Sequence, residues 1–232
     1  MTFEEAINYP RSGEDPLRTV LIGGVLTLLG FLVIPIVLVF GYLMRVIRTT
    51  LADDPDPPAF EGWGELFRDG LSALVVAFVY LLIPAIVFGI TVGGIAINAF
   101  LTGEVGVGTV AGSLVGFSLS MLVGLLVWYV VPAALANVVA KNRIGAGFAF
   151  GELRSVIFTE RYATAWLLAL VLFVAGGIVV GILDVVPPLG FVAGGFVFFY
   201  VDVVAFRLYG RAYAEAEISE PAPEPPAGQP VA

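Results

Sequence analysis

Residues 71–100 read LSALVVAFVYLLIPAIVFGITVGGIAINAF, a run of successive positions without one acidic or basic side chain. A bilayer's hydrocarbon core takes about 20 apolar residues of α-helix, because in lipid every backbone N–H and C=O must find its partner within its own segment. The run is longer than one crossing needs, and Pro84 inside it predicts a tilt or a break. Four more runs of the same character surround it: Val20 to Met44, with Pro35 in its middle; Val110 to Ala140, with Pro132 near its end; Tyr162 to Leu183; and Leu189 to Leu208. The fold class that follows is all-α, a polytopic transmembrane helix bundle of about five spans. Pro35 leaves two arrangements open for the first run, a kinked span or a re-entrant hairpin that returns to the face it came from.

Composition agrees with lipid as the main solvent. The chain is 59% hydrophobic and 13% charged, with a mean hydropathy of +1.00, whereas soluble domains run to about half apolar and a quarter charged. It has no Cys and no His, which excludes thiolate nucleophiles, imidazole bases and metals held by either. We therefore expect no catalytic residue, no metal and no cofactor. A net charge of −8 speaks against a nucleic-acid partner, and carboxylates with a single lysine, Lys141, fit polar surfaces that face concentrated salt, as in a halophile. The N-terminus lacks the basic region of a signal peptide, so no removed leader is expected.

The connections at 101–109 and 184–188 carry no Lys or Arg. Arg45, Arg48 and Arg68 fall in one of the other connections, Lys141, Arg143, Arg154 and Arg161 in the next, and Arg207 and Arg211 follow the last run. The positive-inside rule puts that side in the cytoplasm, with the C-terminus, in a multi-pass protein of the cell membrane. Five spans would leave the N-terminus outside, where Arg11 and Arg18 disagree; a re-entrant first segment would explain them. The chain divides into a polar segment (1–17), a membrane domain (18–214) and an acidic, Pro-rich tail (215–232) expected to be disordered.

Both basic connections contain an amphipathic stretch. Phe60, Trp63, Leu66 and Phe67 share a helical face in the first, and Phe150, Leu153 and Ile157 do so in the second. Two short interfacial helices on the cytoplasmic side are expected, with Phe60, Trp63, Phe67 and Phe150 as anchors in the headgroup layer. Span, interfacial helix and span then occur twice, as in parallel repeats, which opens a transporter-like or channel-like reading. Such helices would form a collar or gate, or serve as greasy linkers.

Gly108, Gly112, Gly116, Ser120 and Gly124 recur every four residues in the third run, and Ala85, Gly89 and Gly93 form a matching groove in the second. A shorter pair, Gly177 and Gly181, lies in the fourth. Small residues at this spacing let helices approach closely in lipid, within one chain or between copies. Asp202 is a possible intramembrane polar site, with Arg207 or Arg45 as an expected ion-pair partner, and Asn137 and Asn98 are interhelical hydrogen-bond candidates. Residues 116–120, GFSLS, imitate a nucleophile elbow but lack its last Gly, and no base accompanies it. Asp69 and Gly70 open like a lipid-phosphotransferase signature without its continuation.

Four segments carry a resemblance: EAINYP at 5–10, LIGG at 21–24, GYLMRVIR at 41–48 and FEGWGELFRDG at 60–70. Through them the chain resembles a family of multi-pass archaeal and bacterial membrane proteins defined only as a domain of unknown function. The resemblance covers most of the chain to about Gly210. It implies an all-helical membrane domain and lends no activity, substrate or site residue. The functional expectation is a structural or regulatory membrane component, not an enzyme, whose partners are the lipid bilayer, other membrane proteins or itself. A transporter-like or channel-like protein is the alternative, and an intramembrane enzyme a remote one.

Overall fold

The computed structural model describes residues 3–13, 15–186 and 188–218. Among them it is helical, with no strand: α1 Phe3–Asn8, a 3-10 turn at Tyr9–Arg11, α2 Pro16–Leu28, α3 Val33–Leu51, α4 Trp63–Phe88, a π turn at Gly89–Gly93, α5 Gly94–Thr102, α6 Val107–Lys141, a 3-10 turn at Ile144–Phe148, α7 Phe150–Ile157, α8 Glu160–Leu183 and α9 Leu189–Ile218. Five stretches are long and apolar enough to cross a membrane: Val33–Leu51, Trp63–Thr102, Val107–Lys141, Glu160–Leu183 and Leu189–Glu217.

The first apolar run is an antiparallel hairpin. Asp15 caps α2, its side chain accepting from the N–H of Arg18 at 3.3 Å, and Pro16 takes the first helical position, where no N–H is needed. The chain breaks after Leu28, and Pro35 falls in the first turn of α3, where its missing N–H costs nothing. Pro35 therefore starts a helix and does not kink a span. Register against α9 gives the directions. Gly23 meets the ring of Phe199, Gly24 that of Phe196, and Leu28 lies against Gly195, so α2 runs antiparallel to α9. Tyr42 meets Phe199 while Thr50 and Ile47 meet Gly210, so α3 runs parallel to it. The N-terminal segment accordingly lies beside the end of α3, with the Tyr9 hydroxyl 3.0 Å from Thr49 Oγ1. At about 20 Å, α2 is shorter than the ~30 Å hydrocarbon layer.

Five helices of membrane length remain, the first of them α3, with the shorter α2 folded back beside it. Both described ends of the chain lie at one end of the bundle, and Arg11 and Arg18 join the other nine basic residues there. Arg11 sits over the ring of Tyr200, 5.7 Å from its centroid, and the Tyr200 hydroxyl donates to the carbonyl of Ile7. The opposite connections hold Glu104 and Asp184 and no Lys or Arg.

The expected first interfacial helix is also absent as a separate element. Gly62, at φ +58°, starts α4, which then runs without a break from Trp63 into the apolar stretch. Phe60 is not a lipid anchor: it is buried, stacked on Tyr42 at 4.3 Å between centroids. Trp63 and Phe67 keep exposed rings. The second interfacial element exists as α7, with Leu153 and Val156 buried and Phe150 exposed. The two connections therefore differ in structure.

Packing is tightest between α3 and α4. A Cβ on Gly41 would stand 1.9 Å from the carbonyl oxygen of Leu66, and one on Gly70 would stand 1.8 Å from that of Val37, so the two backbones touch. The core gathers at the basic end, where Tyr42, Leu66, Leu135, Leu153, Tyr162 and Tyr209 are almost fully buried. Beyond Tyr80, the far part of α4 with α5 and the first half of α6 form an arm whose two strands of helix pack on each other. The last helix continues to Ile218, past the point where the tail was expected to begin; residues 219–232, the rest of that expected disordered tail, lie outside the described residues.

Candidate functional site

Two charged side chains, Asp202 and Arg207, lie within the apolar run 189–208 of α9, and they face different ways. Five residues along a helix turn about 140° around its axis, whereas seven return to within about 20°. Arg207 therefore points away from Asp202, and Tyr209 shares the face of Asp202. Neither expected ion pair forms. Arg45 donates to the carbonyl of Glu61 at 2.6 Å and meets Glu65 at 3.3 Å, and Arg207 turns to the N-terminal segment. Among the described residues Asp202 has no cation at salt-bridge distance, and the buried Tyr209 hydroxyl has no hydrogen-bond partner.

Arg207 is 7% exposed. Its guanidinium lies over the ring of Tyr9, 4.2 Å from the centroid, and Nη1 donates to Thr50 Oγ1 at 3.2 Å. Thr50 in turn donates to the carbonyl of Val46 at 2.6 Å, which fixes its lone pairs toward the arginine. Tyr9 is held by Thr49 and by a bond to the carbonyl of Asp56 at 3.2 Å. Burial raises the pKa of the Tyr9 hydroxyl above the ordinary phenol value, against the opposing effects of the Thr49 bond and the Arg207 charge. Tyr9 is thus a neutral ring under a cation, an arrangement worth about 2 kcal/mol when desolvated. A cavity of about 580 Å³ opens here, bounded by Arg207, Tyr9, Glu4, Glu5, Asp53 and Arg211. Arg211 pairs with Asp53 and with Glu215.

Asn137 is fully buried and satisfied. Its Nδ2 donates to the carbonyl of Ala146 at 2.9 Å and to Glu152 at 3.0 Å, and its Oδ1 accepts from the Tyr213 hydroxyl at 2.7 Å. Lys141 and Glu217, paired at 2.9 Å, close the same cluster over α6 and α9. It is a structural clasp joining α6, α7 and α9.

On α6, Gly112 faces Ile95, and Gly116 faces Thr91 at 2.7 Å from a would-be Cβ. Ser120 is buried, its hydroxyl donating to the carbonyl of Gly116, and Gly124 lies 4.0 Å from Pro84 on the same measure. The partner surface is therefore Pro84, Thr91 and Ile95. Ala85, Gly89 and Gly93 do not form the expected matching groove: Gly89 and Gly93 have nothing within 4 Å of a Cβ, and Ala85 is exposed. Gly108, Gly177 and Gly181 are equally open. Helical phase explains it, since Gly89 and Thr91 stand about 200° apart.

Sequence reasoning did not find the Tyr9, Thr50 and Arg207 group. Its signals were present, Tyr9 within EAINYP and Arg207 among the basic residues, but their meeting depends on the hairpin. The segments that carry the family resemblance are the close-contact ones: Gly23 and Gly24 seat two rings of α9, and Gly41 and Gly70 make the α3 to α4 contact. No group of His, Cys, Asp or Glu among the described residues is arranged to hold a metal ion. Comparison with curated proteins and with solved structures finds no match. Residues 26–185 match the family described as "Protein of unknown function (DUF4013)", which is more than half of the chain. With its membrane-length helices and that match, the protein is an integral membrane protein belonging to the DUF4013 family.

Proposed function

We propose that this chain is a non-catalytic structural or regulatory membrane component that works through contacts between its helices and those of other membrane proteins. The observation that carries the reading is the arm formed by α4, α5 and α6. One face of it is consumed by the Gly112 and Gly116 contacts, while Ala85, Gly89 and Gly93 present a surface with open space above it. In lipid there is no hydrophobic drive between helices, so close backbone approach over small residues is the main source of attraction. By the positive-inside rule the basic end faces the cytoplasm.

The test is recovery from mild detergent after crosslinking, comparing wild type with Ala85→Leu/Gly89→Leu/Gly93→Leu. The reading predicts a defined membrane protein crosslinked to the wild type and lost from the triple variant, with thermal stability unchanged. Recovery of the wild type alone, or an unaltered partner with the variant, contradicts it.

A second reading, movement of protons or ions, is favoured by Asp202, a carboxylate in the apolar run of α9 without a cation beside it. Reconstituted vesicles decide between the two: flux above that of empty vesicles, abolished by Asp202→Asn, supports transfer, and flux equal to empty vesicles counts against it.

A further inference from the structure

We propose that α7 carries a binding site for the headgroup of an anionic phospholipid, centred on the guanidinium of Arg154. This goes beyond the contact function above and does not depend on it.

Arg154 is a cation that the fold leaves unspent. Among the described residues Arg18, Arg68 and Arg154 have no ion pair and lie over no ring, unlike the other basic side chains. Two of these three stand among carboxylates. Arg18 opens on a cavity that also holds Asp15, Asp56 and Glu61, and Arg68 has Glu65 one turn before it and Asp69 next in the chain. Arg154 instead bounds a cavity of about 440 Å³ with Gly151, Ser155, Phe158 and Thr159, and no acidic side chain of the described residues lines it. Glu152, two residues away, lies about 200° round the helix. There it meets Arg143 at 3.7 Å and Asn137 at 3.0 Å. Glu160 belongs to a different cavity, beside Arg161. In a chain of net charge −8 the Arg154 pocket is a local exception.

The surroundings of that cation suit lipid. The helix α7 lies between the end of α6 at Lys141 and the start of α8 at Glu160, level with the polar ends of two membrane-length helices. Leu153 and Val156 turn inward and are buried. Phe150 and Phe158 stand one turn to either side of Arg154, each within about 40° of its direction. They are 65% and 79% exposed. Two large apolar rings flanking a free guanidinium match the boundary between headgroups and acyl chains, where the rings meet hydrocarbon and the fork of N–H donors meets phosphate oxygens. The nearby hydroxyls are already used, Ser155 donating to the carbonyl of Glu152 and Thr159 to that of Val156, so the arginine carries the recognition. A zwitterionic headgroup would bring an ammonium beside the guanidinium with no carboxylate there to receive it. A headgroup with net negative charge is therefore preferred.

The experiment is native mass spectrometry of the full chain released from detergent, with phosphatidylglycerol and phosphatidylcholine of matched acyl chains as the probes. Wild type is expected to retain phosphatidylglycerol about fivefold better than phosphatidylcholine, the scale of one arginine at an anionic surface. Arg154→Gln removes that preference and Arg154→Lys keeps most of it. Because Arg154 is exposed and unpaired, both variants should hold the wild-type thermal midpoint. Arg18→Gln and Arg68→Gln leave the preference as it is, which separates a site on α7 from a general effect of charge. Equal retention of the two lipids by wild type overturns the proposal, as does a preference that survives Arg154→Gln or falls equally in Arg18→Gln. Displacement of the lipid by an equal concentration of glycerol phosphate also overturns it, since the site would then take a free anion and not a membrane headgroup.

Discussion

Tyr162 completes the backbone of α6 at Ala133. Its hydroxyl accepts from the Ala133 N–H at 3.1 Å and donates to the carbonyl of Tyr129 at 2.7 Å, in the turn that Pro132 opens. Pro132 also frees the carbonyl of Trp128, which accepts from Trp166 Nε1 at 3.4 Å. Two side chains of α8 thereby satisfy a broken turn of α6 in a setting where water cannot. We expect Tyr162→Phe to cost about 1–3 kcal/mol, read as a lower thermal midpoint in detergent. Tyr209→Phe, which removes a buried hydroxyl without a partner, is expected to be neutral or stabilising. Equal losses for the two would contradict this account of α6.

Gly41 and Gly70 set the distance between α3 and α4. A methyl group at either meets backbone carbonyl, which cannot rotate away, so Gly41→Ala is expected to cost about 3 kcal/mol or more and to broaden the gel-filtration profile. Gly93→Ala has open space and should leave the midpoint unchanged or raise it by the helix preference of Ala, about 1 kcal/mol at most.

Asp202 forms no ion pair with Arg207 or Arg45, so Asp202→Asn should leave stability unchanged or raised. A structural ion pair would instead lose about 3–5 kcal/mol when one partner is removed.

Tyr9 makes an alkaline prediction. Its pKa is raised in the folded protein, so its neutral form is favoured there. The corresponding stability is complete below the unfolded phenol value of about 10 and falls as pH rises through the folded value. Tyr9→Phe keeps the ring under Arg207 and flattens that part of the alkaline decline, whereas Tyr9→Leu loses about 1–2 kcal/mol near neutral pH. Thermal scans from pH 8 to 11 on the three proteins check both.

Much of the fold is legible in the sequence because lipid imposes one requirement, that long apolar segments bond internally. The apolar runs, the polarity of the two ends and the amphipathic character of Phe150 to Ile157 follow from that. The hairpin is harder to read, since 20–44 is apolar throughout and Pro35 looks alike in a kinked span and in a first turn; the Asp15 cap and the charges of Arg11 and Arg18 are its signals. Phe60 shows the opposite limit. Its spacing with Trp63 and Phe67 marks a shared face, but Phe60 precedes α4 and its burial comes from stacking on Tyr42 of α3, which periodicity cannot supply. The α6 glycine spacing likewise marks a packed face without naming Thr91 and Ile95 as what packs there.

The return of the first apolar run to its starting side is tested most directly by cysteine labelling, since the chain has no native Cys. Single cysteines replace Ser12, Thr102 and Ser155 in sealed vesicles of known orientation, and a membrane-impermeant maleimide is applied from one side. We predict that positions 12 and 155 react from the same side and position 102 from the other. Reaction of position 12 together with position 102 would contradict the hairpin and restore a spanning first helix.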